Sequence, residues 1–324
     1  MTDKPRILLT TPWPRRAIEA MREHFDLDVH EGPLPMPEDR WLDALQAYDG
    51  IAPTVIDRLP PQAYETVQNR TKVLGNFGVG YNHIDIAAAK SGGLGVSNTP
   101  GVLTDATADQ AMGLLLAAAR GISRGDWHIR AGEWRGWNPI DLLGTHVTGA
   151  TLGIIGFGRI GQAMAKRAHF GFDMPVVFHN RSRIDPKVTA ALGARQLDSI
   201  EAVLGASDFV SLHCPGGGEN RHLINATRLA AMKPTAFLIN TARGDVVDET
   251  ALADALRTGQ IAGAGLDVFE DEPRVHPDLT GLKNCVLNPH LGSATEATRT
   301  EMGLLVMANL QAFFNGDPMP NAVA

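Results

Sequence analysis

Short apolar runs bounded by turn residues alternate with stretches of helical apolar period along most of this chain, the pattern of an α/β protein with parallel strands. In the N-terminal part the pattern predicts strands at residues 7–10, 27–30, 50–52, 73–76 and 94–97, a helix at 84–90 and an irregular proline-rich loop at 31–37. A long alanine- and leucine-rich helix is predicted at 105–121, with Gly121 as its stop. Its apolar residues nearly encircle it, so it is expected to be buried, between domains or against another subunit. A second α/β block follows, with strands expected at 151–155, 175–179, 209–213, 236–240, 263–268 and 286–289. A last helix is expected over 294–315, stopped by Gly316.

The second block opens on the first sharp chemical signal, Gly156-Phe-Gly158-Arg159-Ile160-Gly161. A lone G-x-G-x-x-G is weak, but this one follows a strand-like run and opens an apolar-periodic helix, as a dinucleotide fingerprint requires. Gly156 would allow the tight turn, Gly158 the approach of a pyrophosphate, and Gly161 the close packing of helix on strand. The pyrophosphate would sit at the positive end of that helix. NAD enzymes place an acid about 20 residues on, to hold the ribose hydroxyls. Here the chain reads His179-Asn180-Arg181-Ser182-Arg183, with no carboxylate until Asp185. Two arginines and a hydroxyl suit a 2′-phosphate, so NADP is expected in preference to NAD.

Ligands of a doubly wound sheet bind beyond the carboxyl ends of its strands. Those ends read Cys214-Pro215, Asn240-Thr241-Ala242-Arg243, Asp267-Val-Phe-Glu270-Asp271-Glu272 and Asn288-Pro-His290. An arginine, acids and a histidine thus converge where a nicotinamide would lie. Such a set fits hydride transfer to a keto acid. Arginine binds a carboxylate and polarises a carbonyl, histidine donates a proton, and a carboxylate holds that histidine charged.

The motifs T-L-G-I-I-G-F-G-R-I-G, N-T-A-R-G, G-L-D-V-F-E-D-E-P and N-P-H-L-G-S-A-T, in this order, resemble the D-isomer-specific 2-hydroxyacid dehydrogenase family over essentially the whole chain. Gly132-Glu-Trp-Arg-Gly-Trp137 and Leu142-Leu-Gly-Thr resemble its glyoxylate/hydroxypyruvate reductase branch. The resemblance implies that Arg243 binds substrate, that His290 exchanges the proton and that Glu272 is its partner. It implies that the Val79 and Gly80 amides, in Asn76-Phe-Gly-Val79-Gly80-Tyr-Asn-His83, hold the substrate carboxylate, with Ser293 also at the substrate. It places Thr104 and Asp267 at the cofactor, Asp267 beside the nicotinamide carboxamide. Glu270 and Asp271 are taken as solvated neighbours of Glu272, and His83 and Asp85 as structural. His213 fits a packing role or a cofactor role. Trp137 fits either a contact in a partner subunit's substrate pocket or a buried loop anchor. Many relatives carry a threonine-containing loop where this chain has Gly216-Gly-Gly218, which leaves the cofactor contacts of that loop open.

The implied architecture is a Rossmann-type doubly wound sheet, residues 101–291, inserted into a flavodoxin-like substrate domain of residues 1–100 and 292–324. The cleft between them would hold both ligands and exclude water on closing. Length suits two domains: 324 residues with 44% apolar content. A net charge of −7 without runs of one sign argues against nucleic acid as a partner. With Cys214 and Cys285 the only cysteines, neither a disulfide framework nor a metal site is expected. The N-terminus lacks an apolar leader and no run is long enough to span a membrane, so a cytoplasmic protein is expected. The apolar helix and the resemblance both point to a homodimer. Among family rivals, Glu272 stands where formate dehydrogenases resemble a glutamine, and the chain ends without the C-terminal regulatory domain of long phosphoglycerate dehydrogenases. A phosphite oxidoreductase stays open. An NAD-sensing co-repressor is disfavoured by the missing acidic cofactor residue and by the absence of long disordered tails.

Overall fold

The computed structural model describes residues 4–324; Met1, Thr2 and Asp3, where the N-terminal reading above begins, lie outside the described residues. The chain divides into two units, Met1–Leu103 with Ser293–Ala324, and Thr104–Gly292.

The first unit holds β1 (Arg6–Leu9), β2 (Asp26–Val29), β3 (Gly50–Ala52), β4 (Val73–Gly75) and β5 (Gly95–Ser97). All pair in parallel, in the order β2-β1-β3-β4-β5, which is the flavodoxin-like order. Strands β3 and β4 are buried along their whole length, as parallel strands covered on both faces are. The helix Glu296–Asn315 packs on this sheet, and Gly75 makes its approach possible. A Cβ there would come within 2.6 Å of the Val306 side chain.

The second unit holds β6 (Leu152–Ile155), β7 (Val176–His179), β8 (Ala194–Gln196), β9 (Phe209–Leu212), β10 (Phe237–Asn240), β11 (Gly263–Leu266) and β12 (Cys285–Leu287). Their order, β12-β11-β10-β9-β6-β7-β8, is again all parallel and is the Rossmann order. The helix Thr104–Arg120 is buried in this unit's own core. Its Ala108, Ala111, Leu114 and Leu115 pack in one cluster with Ile154, Phe157, Met164 and Ile239. Its outer strip is polar: Asp105 and Asp109 both bind Arg167, at 3.0 and 2.6 Å.

The structure corrects the predicted elements mainly at their ends. The strands stop at Leu9, Val29 and Gly75, one residue short of the expected Thr10, His30 and Asn76. The fifth begins at Gly95, not Leu94. In the second unit, strand ends at His213, Val268 and Pro289 retract to Leu212, Leu266 and Leu287. The helix expected at 84–90 spans Ile86–Gly92, because Asp85 caps it by accepting from the Ala88 amide. The last helix begins at Glu296, two residues later than expected, because Thr295 is its cap. Strand β8 and a helix at Ile122–Arg130 were not anticipated. No helix among the described residues is long and apolar enough to cross a membrane.

Candidate active site

The strand order of the second sheet reverses between β6 and β9, the point at which such sheets bind their ligands. Strand β6 turns through Gly156, Phe157 and Gly158 into the helix Arg159–Phe172. Gly156 has φ +91°, and a Cβ there would lie 2.6 Å from the Cys214 amide nitrogen, just beyond β9. A Cβ on Gly161 would lie 2.3 Å from the Gly156 carbonyl oxygen, so only glycine lets the helix begin this close to the turn. A Cβ on Gly158 would meet nothing within 4 Å. No side chain caps this helix, which leaves its first amides open to an anion. The tight turn, the open face at Gly158 and the uncapped amides fit a dinucleotide pyrophosphate. Arg159 is exposed and Ile160 half-buried alongside.

Beyond β7, Asn180 ties this turn down. Its Oδ1 accepts from the Phe157 amide at 3.1 Å, while its Nδ2 donates to the Ser182 carbonyl and to Ser182 Oγ, each at 3.1 Å. Arg181 and Arg183 are exposed, and Arg183 lies 3.3 Å from Asp198. That carboxylate follows β8, so linear order hid it. Asp185 is committed elsewhere, as the cap of the helix Pro186–Ala191.

Three more carboxyl ends carry the remaining chemistry. Strand β10 ends on Asn240, whose Oδ1 accepts from the Ala242 amide at 3.0 Å and whose Nδ2 donates to the Arg243 carbonyl at 2.9 Å. This turn presents Arg243, half-buried, with Nη1 donating to the Ala242 carbonyl at 2.6 Å. Beyond β11, Glu272 Oε1 accepts from the Phe269 amide at 3.0 Å, and Oε2 lies 2.9 Å from Nδ1 of His290, beyond β12. Burial alone would raise the Glu272 carboxyl, but the hydrogen bond and charge of His290, with the charge of Arg243, hold it below its ordinary 4.5. Burial lowers the Arg243 guanidinium from its ordinary range, opposed by the charges of Glu272 and Asp245, and it stays a cation. The structure therefore brings Arg243, Glu272 and His290 together, and His290 Nε2 has no protein partner among the described residues.

Residues 112–292 match the family model for the D-isomer specific 2-hydroxyacid dehydrogenase, NAD binding domain. A glyoxylate reductase of Thermococcus litoralis is 45% identical over 324 residues, 99% of this chain and 97% of that protein. The chain belongs to the D-isomer specific 2-hydroxyacid dehydrogenase family. Among solved structures, a glyoxylate reductase from Paecilomyes thermophila superposes with a TM-score of 0.86 at 33% identity, over 100% of this chain and 99% of that one. An NADPH-dependent glyoxylate/hydroxypyruvate reductase from Sinorhizobium meliloti, solved with NADP and malonate, gives 0.85 at 35% identity, over 99% and 97%.

The remaining residues of this NAD(P)-dependent dehydrogenase find the following places. In the first unit, the carbonyls of Gly78 and Gly80 accept from Asn76 Nδ2 at 3.0 and 3.1 Å, and the Val79 carbonyl accepts from Asn98 Nδ2 at 2.9 Å. Neither the Val79 nor the Gly80 amide meets an acceptor among the described residues. Ser293 is half-buried at the start of that unit's last segment. In the second unit, Thr104 is half-buried at the head of its helix, and the Thr241 hydroxyl is buried without a partner among the described residues. Ala242 is half-buried and Pro215 exposed. Burial pushes the Cys214 thiol up to about 11, which leaves no thiolate for chemistry near neutrality. Burial lowers His213 to about 4, and its Nε2 lies 2.9 Å from Ser211 Oγ, the packing arrangement of a neutral ring. Trp137 is 85% exposed, which removes the buried-anchor reading.

Two roles were not visible in the sequence. Asp267 binds the chain behind His290: its oxygens accept from the Leu291 and Gly292 amides, each at 2.7 Å, and its carbonyl accepts from the His290 amide at 2.8 Å. His290 has φ +55°, a conformation uncommon outside glycine, and this clamp holds it there. Glu270, read as solvated, instead takes Arg221 and His222 as partners. Neither the Asp267 contacts, 24 and 25 residues apart, nor the Glu270 contacts, 49 and 48 apart, leave a local signature.

Proposed function

We propose that this dehydrogenase reduces a small 2-keto acid, with glyoxylate and hydroxypyruvate as the favoured substrates and NADPH preferred over NADH. The observation that carries the reading is the Glu272–His290 hydrogen bond beside Arg243, on the same sheet edge as the Gly156–Gly161 turn. The similarity to proteins called glyoxylate reductase narrows the substrate.

A nicotinamide cofactor held at the Gly156–Gly161 turn would supply the hydride that reduces C2 of the keto acid. His290 gives its proton to the C2 oxygen as that oxygen gains charge, so the product is the neutral hydroxyl. Glu272 orients the imidazole through Nδ1 and balances its charge. Arg243 binds the substrate carboxylate and polarises the carbonyl. The unpaired Val79 and Gly80 amides are assigned to the same carboxylate, and Ser293 to the substrate. Arg181, Ser182 and Arg183 are assigned to the 2′-phosphate. The Arg183–Asp198 pair is exposed on both sides and therefore weak, so a doubly charged phosphate competes for Arg183 effectively. Residues 101–291 are assigned the cofactor, and residues 1–100 with 292–324 the substrate. The functional form is assigned as a homodimer, with Trp137 reaching the partner's pocket.

The test is steady-state oxidation of NADPH and NADH with glyoxylate, hydroxypyruvate and pyruvate. The expected result is a kcat/KM at least about tenfold higher with NADPH, roughly 1.4 kcal/mol of discrimination, with glyoxylate or hydroxypyruvate the best acceptor. A preference for NADH would overturn the cofactor assignment alone. Absence of turnover with every keto acid would overturn the substrate assignment and favour phosphite.

A further inference from the structure

Residues 216–224 run past both loops that carry the catalytic groups, and a carboxylate fastens them to each. On the Arg243 side, Asp245 Oδ2 accepts from the Gly217 amide at 2.7 Å, and the Asp245 carbonyl accepts from the His222 amide at 2.7 Å. Ile224 and Val247 add a parallel bridge. The segment also packs on the arginine itself, because a Cβ on Gly216 would come within 2.8 Å of Arg243 Cβ and 2.9 Å of its Cγ. On the Glu272 side, Glu270 Oε1 accepts from the Arg221 guanidinium and from His222 Nε2, the latter at 2.9 Å. The Glu270 amide in turn donates to Glu249 Oε1 at 2.8 Å. His222 has φ +50°, and in that conformation its ring and the neighbouring Arg221 reach one carboxylate oxygen.

We infer that Glu270 is a positioning residue for the reaction, binding Arg221 and His222 so that residues 216–224 brace the Arg243 turn against the Glu272 loop. The inference rests on the assignment of Arg243, Glu272 and His290 to catalysis. Arg221 is more than half exposed, so the tie contributes little to stability. Its leverage is on rate. Transfer chemistry falls off steeply when groups are misplaced by even about 1 Å, and Glu270 lies two residues from the acid that orients His290.

The experiment compares Glu270→Ala, Glu270→Gln, Arg221→Ala and the Arg221→Ala/Glu270→Ala double variant in the full-length protein. Readouts are kcat with glyoxylate and NADPH, thermal midpoint, and backbone hydrogen exchange. Glu270→Ala is expected to lower kcat about tenfold with a midpoint shift under about 3 °C. The Gln variant keeps an acceptor oxygen and should recover most of the rate. The double variant should be no slower than Glu270→Ala, because both changes break one link. Exchange should quicken at residues 213–225 and 267–275 and stay unchanged in β6. Unchanged kcat in the Ala variant, additive losses in the double variant, a Gln variant as slow as Ala, or unchanged exchange at 213–225 would each overturn the brace. A wild-type protein inert toward every keto acid would instead overturn the substrate reading, and the exchange comparison would still decide the brace.

Discussion

His290 and Glu272 show how much one side-chain pair asks of its surroundings. The histidine has a positive φ, which costs of order 1–3 kcal/mol for a residue with a Cβ. It is kept there by one amide of its own and two amides beyond it, all accepted by Asp267. The return is a ring whose Nδ1 meets Glu272 at 2.9 Å while Nε2 is left unpaired. Glu272→Gln keeps the shape but loses the charge, and kcat is expected to fall by about 10² or more. The same substitution makes a pH prediction. A carboxyl whose folded pKa lies below its unfolded value adds stability above the unfolded value, and that stability is lost as pH falls through the folded one. Glu272 is such a group, lying below 4.5. The wild type should therefore exceed the Gln variant in urea midpoint near neutrality, and the gap should close as pH drops below the carboxylate range. A gap that persists in acid would mean that the effect is packing rather than charge.

At the scale of elements, the β6 turn and its helix form one unit whose geometry depends on absent side chains. Gly161→Ala would push a methyl to within 2.3 Å of the Gly156 carbonyl oxygen, a backbone atom that cannot swing aside, so the helix must back away from the turn. The expected outcome is a loss of NADPH affinity of about tenfold or more, read by nicotinamide fluorescence, with destabilisation of about 1–3 kcal/mol. Equal affinity in the variant would show that the pyrophosphate does not use these amides. This turn was legible in the sequence because glycine spacing and apolar period are both local. So was β3, whose run is closed by turn residues on both sides. Strand β8 was not, being three residues with a polar pair on the sheet edge. Nor was the helix Ile122–Arg130, which buries none of its residues and so has no core-facing stripe to read. Arg243, His290 and the three acids Glu270, Asp271 and Glu272 could be listed from strand ends, but the choice of Glu272 among the acids came from the family resemblance. The anchors Asn240, Asp267 and Glu270 could not be given their roles, because those depend on how loops fold back on one another.

For the whole molecule, the stretch just after the buried helix Thr104–Arg120 sets the question of assembly. Ile122, Trp127, Ile129, Trp134, Trp137, Ile140 and Leu143 are all exposed, within one short length of chain. Scattered apolar side chains need no explanation, but so many exposed within one short segment is more than a monomer commonly leaves in water. A second copy of the chain is the occupant that the homodimer assignment requires, and a two-fold interface would bury the same patch on both protomers. The prediction has two parts. Sedimentation should give a dimer, and serine at Ile122, Trp134 and Ile140 together should shift it toward monomer at micromolar concentration. Trp137→Ala removes a single ring of the patch, so it should leave the dimer mass unchanged but raise KM for the keto acid, because that ring is assigned to the partner's pocket. A wild-type protein that sediments as a monomer at full turnover would remove both parts. A dimer in which Trp137→Ala leaves KM untouched would keep the interface but confine each active site to its own chain, so that a dissociated protomer should retain its activity.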